Sequence, residues 1–266
     1  VFGDTNSTIA GALAAKKIHI KVAHVEAGLR SFNTKMPEEI NRILTDRISD
    51  YLFCPTQTAV NNLANEGYDN IDSNIINCGD VMQDAANFYA LKSAEKSNIH
   101  KVITFDKYIL CTLHRAENTD DPERLKAIIE ALNQTHLTTP IVLPLHPRTK
   151  QKIEALGIEL KVEIIEPVGY FDMIELLKKC QIVLTDSGGL QKEAYFFKKN
   201  CVTLRDQTEW VELLEHNVNI LVGANFNSII DGITKMIHLQ SDFSVNLYGN
   251  GTACEKICNE LINTEK

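Results

Sequence analysis

Apolar residues in this chain fall in short, nearly unbroken runs: 22–25 (VAHV), 51–54 (YLFC), 108–113 (YILCTL), 140–145 (PIVLPL), 181–185 (QIVLT) and 200–204 (NCVTL). Runs of this length that do not alternate with polar residues suit strands buried on both faces, as in a parallel sheet covered by helices. The pattern predicts strands at 20–25, 51–54 and 74–77, with helices at 6–16, 37–49 and 56–66 between them. A connecting helix falls within 78–100. A second series follows, with strands at 108–113, 140–145, 162–165, 181–185 and 200–204 and helices at 121–134, 149–156, 171–179, 189–197, 208–215 and 226–237. A last helix, 250–262, begins in the turn-rich YGNG. Strand–helix alternation of this kind reads as α/β: two Rossmann-like doubly wound domains with a cleft between them. The opening Val1-Phe2-Gly3-Asp4 resembles the tail of a strand and its turn, so the first domain is expected to be incomplete at its front. The division expected is a partial domain at 1–80, completed by a helix at 250–266, and a second domain at 81–245.

In open α/β sheets, ligands bind outside the carboxyl ends of the strands, and several chemically capable groups stand there. The run 22–25 ends in Glu26, followed by the small turn Ala27-Gly28 and Arg30. Glu38, behind Pro37, opens the next helix with Glu39, and Arg42 and Arg47 lie further along it. Asp4 is a third acid at a strand end. Paired carboxylates with cations nearby suit proton transfer on an anionic substrate; acids at helix starts could equally serve the helix dipole, and Asp4 could be an N-cap.

In the second series, Thr185-Asp186-Ser187-Gly188-Gly189 joins an apolar strand to a helix. Such a turn offers backbone N–H groups, a hydroxyl and a helix N-terminus to a phosphate, and Glu193, one turn in, could accept the hydroxyls of a ribose. His114-Arg115 after 108–113 suits a phosphate clamp, though Arg115 could instead pair with Glu117. His146-Pro147-Arg148 ends the next strand in the same manner, open between ligand contact and loop structure. Arg205 follows 200–204, and Trp210, the single tryptophan, could stack on a ligand or simply pack.

Composition narrows the partners. A net charge of −8 argues against a nucleic-acid surface. Neither GxGxxG nor a metal-ligand spacing is present, so no redox or metal cofactor is expected. The seven cysteines have no CxxC pair, and Cys54, Cys111, Cys180 and Cys201 sit in apolar runs, as small reduced core residues do. No apolar stretch near 18 residues and no signal peptide is seen; a cytoplasmic protein with no membrane span is expected.

Four motifs in order, GDT, HVEAGLR, MPEEINR and TDSGGLQKEA, resemble the non-hydrolysing UDP-N-acetylglucosamine 2-epimerases, and the resemblance runs over nearly the whole chain. It implies a fold like glycosyltransferase type B, with the last helix crossing back onto the first domain, and a missing front segment of roughly a quarter of the family length. Carried onto this chain, it implies that Asp4, Glu26 and Glu38 are catalytic carboxylates and that His114 supports the diphosphate. It implies that Ser187, Gly188, Gly189 and Glu193 form the nucleotide turn and the ribose acid; Arg115, Arg205 and Trp210 are expected about the UDP-sugar from their own positions after the strands. The family commonly has T-E-R-P-E where this chain has Thr208-Glu209-Trp210-Val211-Glu212, and N-P-Y-G-D-G where it has Asn246-Leu247-Tyr248-Gly249-Asn250-Gly251. The first departure, with GDTNST, GLRSFN and HRAENTDDPERL, resembles the subgroup acting on UDP-2,3-diacetamido-2,3-dideoxyglucuronic acid.

The activity implied is epimerisation at C2 of a UDP-2-acetamido sugar, by loss of UDP to a glycal and re-addition, in supply of surface polysaccharide precursors. A homodimer is expected of the full-length form. A retaining UDP-sugar glycosyltransferase on the same fold, or an inactive nucleotide-sugar-binding fragment, are the competing readings.

Overall fold

The computed structural model describes residues 1–263. Two compact units make up the chain: one comprises residues 1–87 and the segment from Asn246 onward, the other Phe88–Val245. The division falls inside a helix, seven residues later than the 80/81 boundary expected from the apolar pattern.

In the first unit, α1 (Asn6–Lys17), β1 (Ala23–Val25), α2 (Pro37–Ile48), β2 (Tyr51–Cys54), α3 (Gln57–Asn65) and β3 (Asn74–Asn77) follow in order. The strands form a parallel β1-β2-β3 sheet, and Phe2 bridges to Val25 in the same sense. The strand expected from residue 20 starts only at Ala23, because Ile20 is solvent-exposed. Helix α4 (Val81–Lys96) starts in this unit.

The second unit continues with β4 (Ile109–Thr112), α5 (Ala116–Thr119), α6 (Pro122–His136), β5 (Ile141–Pro144), α7 (Pro147–Ala155), β6 (Glu163–Ile165) and α8 (Tyr170–Lys179). Then come β7 (Ile182–Thr185), α9 (Gly188–Phe196), β8 (Asn200–Thr203), α10 (Val211–Glu215), β9 (Asn219–Leu221) and α11 (Phe226–His238). Its six parallel strands lie in the order β6-β5-β4-β7-β8-β9. Counted from β4, that is 3-2-1-4-5-6, the doubly wound Rossmann order.

Adjacent strand residues face opposite layers. Ile109, Cys111, Ile141, Leu143, Ile182, Leu184 and Val202 pack under α6 and α11, while Tyr108, Leu110, Val142, Val183 and Cys201 pack under α8 and α9. Both faces are covered, hence the unbroken apolar runs. Burial pushes the thiols of Cys180 and Cys201 up to about 12, and they serve as small core side chains.

The last helix, α12 (Ala253–Asn263), belongs to the first unit, where Ile257 packs with Tyr51, Phe53 and Cys78. Asp84 of α4 caps it, accepting from the backbone N–H groups of Ala253 and Cys254 at 3.2 and 2.7 Å. The last three residues of the expected 250–266 helix, 264–266, lie outside the described residues. Among the described residues no helix is long and apolar enough to cross a membrane.

Candidate functional site

The topology of the second unit dictates where its ligand site lies. Strand order reverses between β4 and β7, so the loops after these two strands diverge and leave a crevice. The strands are clasped there by a 2.6 Å hydrogen bond between the Thr112 and Thr185 hydroxyls. A cavity of about 290 Å³ opens beyond it, near the lower end of ligand-pocket sizes. Its lining includes the polar His114, His146, Ser187 and Glu193 and the apolar Pro144, Pro167, Val168 and Met173. Ser187 is the N-cap of α9, its hydroxyl accepting from Leu190 N–H at 3.4 Å, and Gly189 borders the same space. A helix start bearing a serine and a glycine is suited to an anion. Glu193 is only 7% exposed. Burial pushes its carboxyl above the ordinary range, against a hydrogen bond from Tyr170 and the charge of Lys192.

Asp186 holds this arrangement together and was not singled out by sequence. Fully buried, its carboxylate accepts from the backbone N–H groups of His114 (3.0 Å) and Arg115 (2.9 Å) and from the Asn118 amide (3.3 Å). It therefore fixes the turn that presents the half-exposed His114 ring, which is 3.6 Å away. An acid between an apolar strand and two glycines is the available signal, because such a position is both buried and rich in unpaired N–H groups. Arg115 contributes its backbone to this turn, and its side chain does not line the cavity.

Three residues expected about the nucleotide sit elsewhere. A Cβ on Gly188 would meet a Glu209 carboxylate oxygen at 2.5 Å, so this glycine accommodates protein beneath the turn and is not on the cavity wall. Arg205 is 1% exposed, 3.0 Å from Glu209 and 3.7 Å from Glu117. The Trp210 ring is 3% exposed and is covered by the buried Lys192 ammonium, 4.0 Å from its centroid. Desolvation strengthens such a cation–π pair. Arg205 and Trp210 thus belong to a buried charged layer under the start of α9, not to the cavity surface.

In the first unit two of the three candidate acids, Asp4 and Glu26, share one edge. Parallel pairing of the opening residues with β1 brings their ends together: Gly3 N–H donates to the Val25 carbonyl at 3.1 Å. Glu26 Oε2 lies 3.6 Å from where a Gly3 Cβ would stand, and Asp4 is the next residue. Glu26 itself adopts φ +76°, a left-handed backbone unusual for a side chain of this kind. Arg42 donates to Asp4 at 2.5 Å and to Glu39 at 2.8 Å. Glu38, four residues before Arg42, shares its face of α2 and is half-buried. Arg42 therefore joins the candidate site; its i, i+4 spacing from Glu38 is the signal in the sequence.

Neighbouring residues act as scaffold. Buried Glu39 accepts from the Ser31 and Phe32 backbone N–H groups at 2.9 and 2.8 Å and ties that loop to α2. Arg30 is buried in a fork to Glu66 (2.6 and 2.8 Å) and a contact with Asp46 (2.7 Å), so it is not presented to a substrate. His24, fully buried, spans Asp46 (2.6 Å) and the Gly3 carbonyl (2.9 Å). Among the described residues no group of three or more His, Cys, Asp or Glu is arranged to hold a metal ion.

A cavity at the switch point of a 3-2-1-4-5-6 sheet, closed by a glycine-led helix start, defines a Rossmann-type nucleotide-binding protein as a class. The family follows from comparison. The family model described as UDP-N-acetylglucosamine 2-epimerase matches residues 1–262, and the chain belongs to that family of isomerases. A Pseudomonas aeruginosa relative, UDP-2,3-diacetamido-2,3-dideoxy-D-glucuronate 2-epimerase, is 55% identical over 98% of this chain and 73% of its own length. The crystal structure of the Methanocaldococcus jannaschii UDP-GlcNAc 2-epimerase with UDP-GlcNAc and UDP superposes with a TM-score of 0.91, at 43% identity over 99% of this chain and 75% of the other. The S. aureus MnaA–UDP co-structure gives 0.86 at 34% identity, over 98% and 72%.

Proposed function

We propose that the protein inverts C2 of a UDP-2-acetamido sugar, and that its preferred substrate is UDP-2,3-diacetamido-2,3-dideoxyglucuronate rather than UDP-N-acetylglucosamine. The C2 proton of such a sugar is not next to a carbonyl, so abstraction alone is too costly. Elimination avoids this: a carboxylate removes the C2 proton while the C1–O bond breaks and its electrons leave with UDP, giving a glycal. UDP then adds back at C1 as a proton reaches C2 from the opposite face. Asp4, Glu26 and Glu38 supply the acid and base groups, and Arg42 holds the Asp4 carboxylate in place. His114, Ser187 and the α9 N-terminus receive the diphosphate and make UDP a better leaving group. Glu193 accepts the ribose hydroxyls, and the apolar lining residues take the base.

The observation that carries the reading is the gathering of Asp4, Glu26 and Arg42 on one sheet edge, with Glu38 on the shared helix face. The substrate preference rests on the 55% identity to the diacetamido-uronate epimerase against 45% to the Methanocaldococcus jannaschii UDP-N-acetylglucosamine 2-epimerase. Incubation in D₂O tests both parts. Deuterium should enter at C2, faster from the diacetamido uronate. No incorporation from either sugar overturns the epimerase reading, because transfer or binding leaves that proton in place; faster exchange with UDP-N-acetylglucosamine overturns the preference alone.

A further inference from the structure

We infer that His24 is a positioning residue for the acids Asp4 and Glu26: its ring fastens the peptide that carries Asp4 to the same carboxylate, Asp46, that fixes the loop after Glu26. This rests on the reading of Asp4 and Glu26 as acid and base groups.

Asp46 lies on α2, one turn beyond Arg42, and is fully buried. Its carboxylate takes three donors: His24 Nδ1 at 2.6 Å, Arg30 at 2.7 Å and the Gly28 N–H at 3.1 Å. Gly28 stands two residues after Glu26, so this contact ties down the loop that follows the acid. The Glu26 and Ala27 N–H groups donate to the Phe53 carbonyl at 3.1 and 3.0 Å. The other ring nitrogen of His24, Nε2, lies 2.9 Å from the Gly3 carbonyl. That carbonyl belongs to the peptide bond joining Gly3 to Asp4. Gly3 has φ +69°, and a glycine there turns its peptide plane at little steric cost. Asn41 and Arg42 hold Asp4 by its own carbonyl and carboxylate, at 2.9 and 2.5 Å. His24 instead holds the peptide plane from which Asp4 departs. One carboxylate on α2 thus sets the spacing of two acids, directly on one side and through an imidazole on the other.

The chemistry of the ring follows from its two partners. A backbone carbonyl has no proton to give, and Asp46, already receiving Arg30 and a backbone N–H, is a carboxylate. His24 therefore donates from both nitrogens, which only the protonated imidazole can do. The charges balance: the cations His24 and Arg30 meet the anions Asp46 and Glu66. Buried charges persist where they are paired in this way. With both nitrogens committed, the ring has no lone pair to take the C2 proton. Its part is to place the groups that do.

Two substitutions separate the ends of the ring. Asparagine sets an amide nitrogen where Nδ1 stands, and glutamine sets one where Nε2 stands. His24→Asn keeps the donor to Asp46 and loses the one to Gly3; His24→Gln does the opposite. Deuterium entry at C2 is measured at saturating UDP-sugar, with UDP affinity by calorimetry and thermal unfolding alongside. Turnover should fall roughly tenfold or more in His24→Asn, since a misplacement near 1 Å costs up to about 10²-fold. It should stay within about threefold of normal in His24→Gln, although that variant melts lower because it leaves Asp46 a donor short. UDP affinity should be unchanged in both. Full turnover in His24→Asn, or a loss in His24→Gln as large or larger, overturns the role. In the unaltered protein, nitrogen NMR of labelled histidine should find a proton on each ring nitrogen of His24; a bare Nε2 overturns the role whatever the variants do. If the unaltered protein exchanges no C2 proton, the reading of the acids is itself overturned, and the role of His24 with it.

Discussion

Adjacent glutamates at the start of α2 carry opposite burdens. Glu39 is enclosed, receiving the Ser31 and Phe32 N–H groups and the Arg42 guanidinium, whereas Glu38 is half-buried on the face that Arg42 shares. Glu38→Gln should lower turnover by roughly 10²-fold or more with little change in melting temperature, as expected for a general acid or base. Glu39→Gln should do the reverse in kind, costing about 1.5–3 kcal/mol of stability through weakened charged hydrogen bonds. Kinetics paired with thermal unfolding separates them, and a Glu38→Gln protein with normal turnover would remove that residue from the chemistry. The sequence singled out Glu38 but not the work of Glu39, because that depends on a loop eight residues earlier folding onto it. The same limit hid Asp186, whose importance lies in the N–H groups that a different strand delivers to it. It also left Arg30 as one of the cations beside the paired acids, when its guanidinium is taken up by Asp46, Glu66 and the Leu29 carbonyl.

At the level of elements, the buried parallel strands were legible because each carries apolar residues on both faces, and the βα order followed from them. Strand β9 was not: it has three residues, and it begins with Asn219, a buried polar side chain that hydrogen-bonds to Thr203 and Gln191 of its neighbours. No local pattern distinguishes that from a loop. Helix α5, a single turn of four residues, escaped for the same reason. The start of α9 was legible as a phosphate-binding turn, yet its two glycines have different work. Gly188 leaves room for Glu209 below the turn, so the tolerance for a side chain is set from inside the protein. Gly188→Ala should cost about 1–3 kcal/mol by overpacking and weaken UDP binding as the helix start shifts. Thermal unfolding and UDP calorimetry check this, and an unchanged melting temperature would contradict it.

Across the whole chain, the first unit is discontinuous: its sheet comes from residues before Asn87, and part of its cover comes from α12. Ending the chain after Gly251 would remove Ile257 from the β1–β3 sheet and leave the Asp84 carboxylate with no helix to cap. Hydrogen exchange of that shortened protein should show β1–β3 losing protection while β4–β9 keep theirs, since the second unit is continuous in sequence. Equal protection in both would mean α12 is dispensable.

The return of α12 also sets an order of events during synthesis. A ribosome delivers residues 88–245 in full before Ala253 leaves the exit tunnel. Strands β1–β3 are made first but wait, with the surface destined for Ile257 uncovered, while a complete Rossmann-type unit forms behind them. Domains usually mature from the amino terminus onward as they emerge; here the later-made unit can finish first. The nascent first unit is therefore the stretch most in need of chaperone cover, and any pause in translation between Val245 and Ala253 lengthens its exposure.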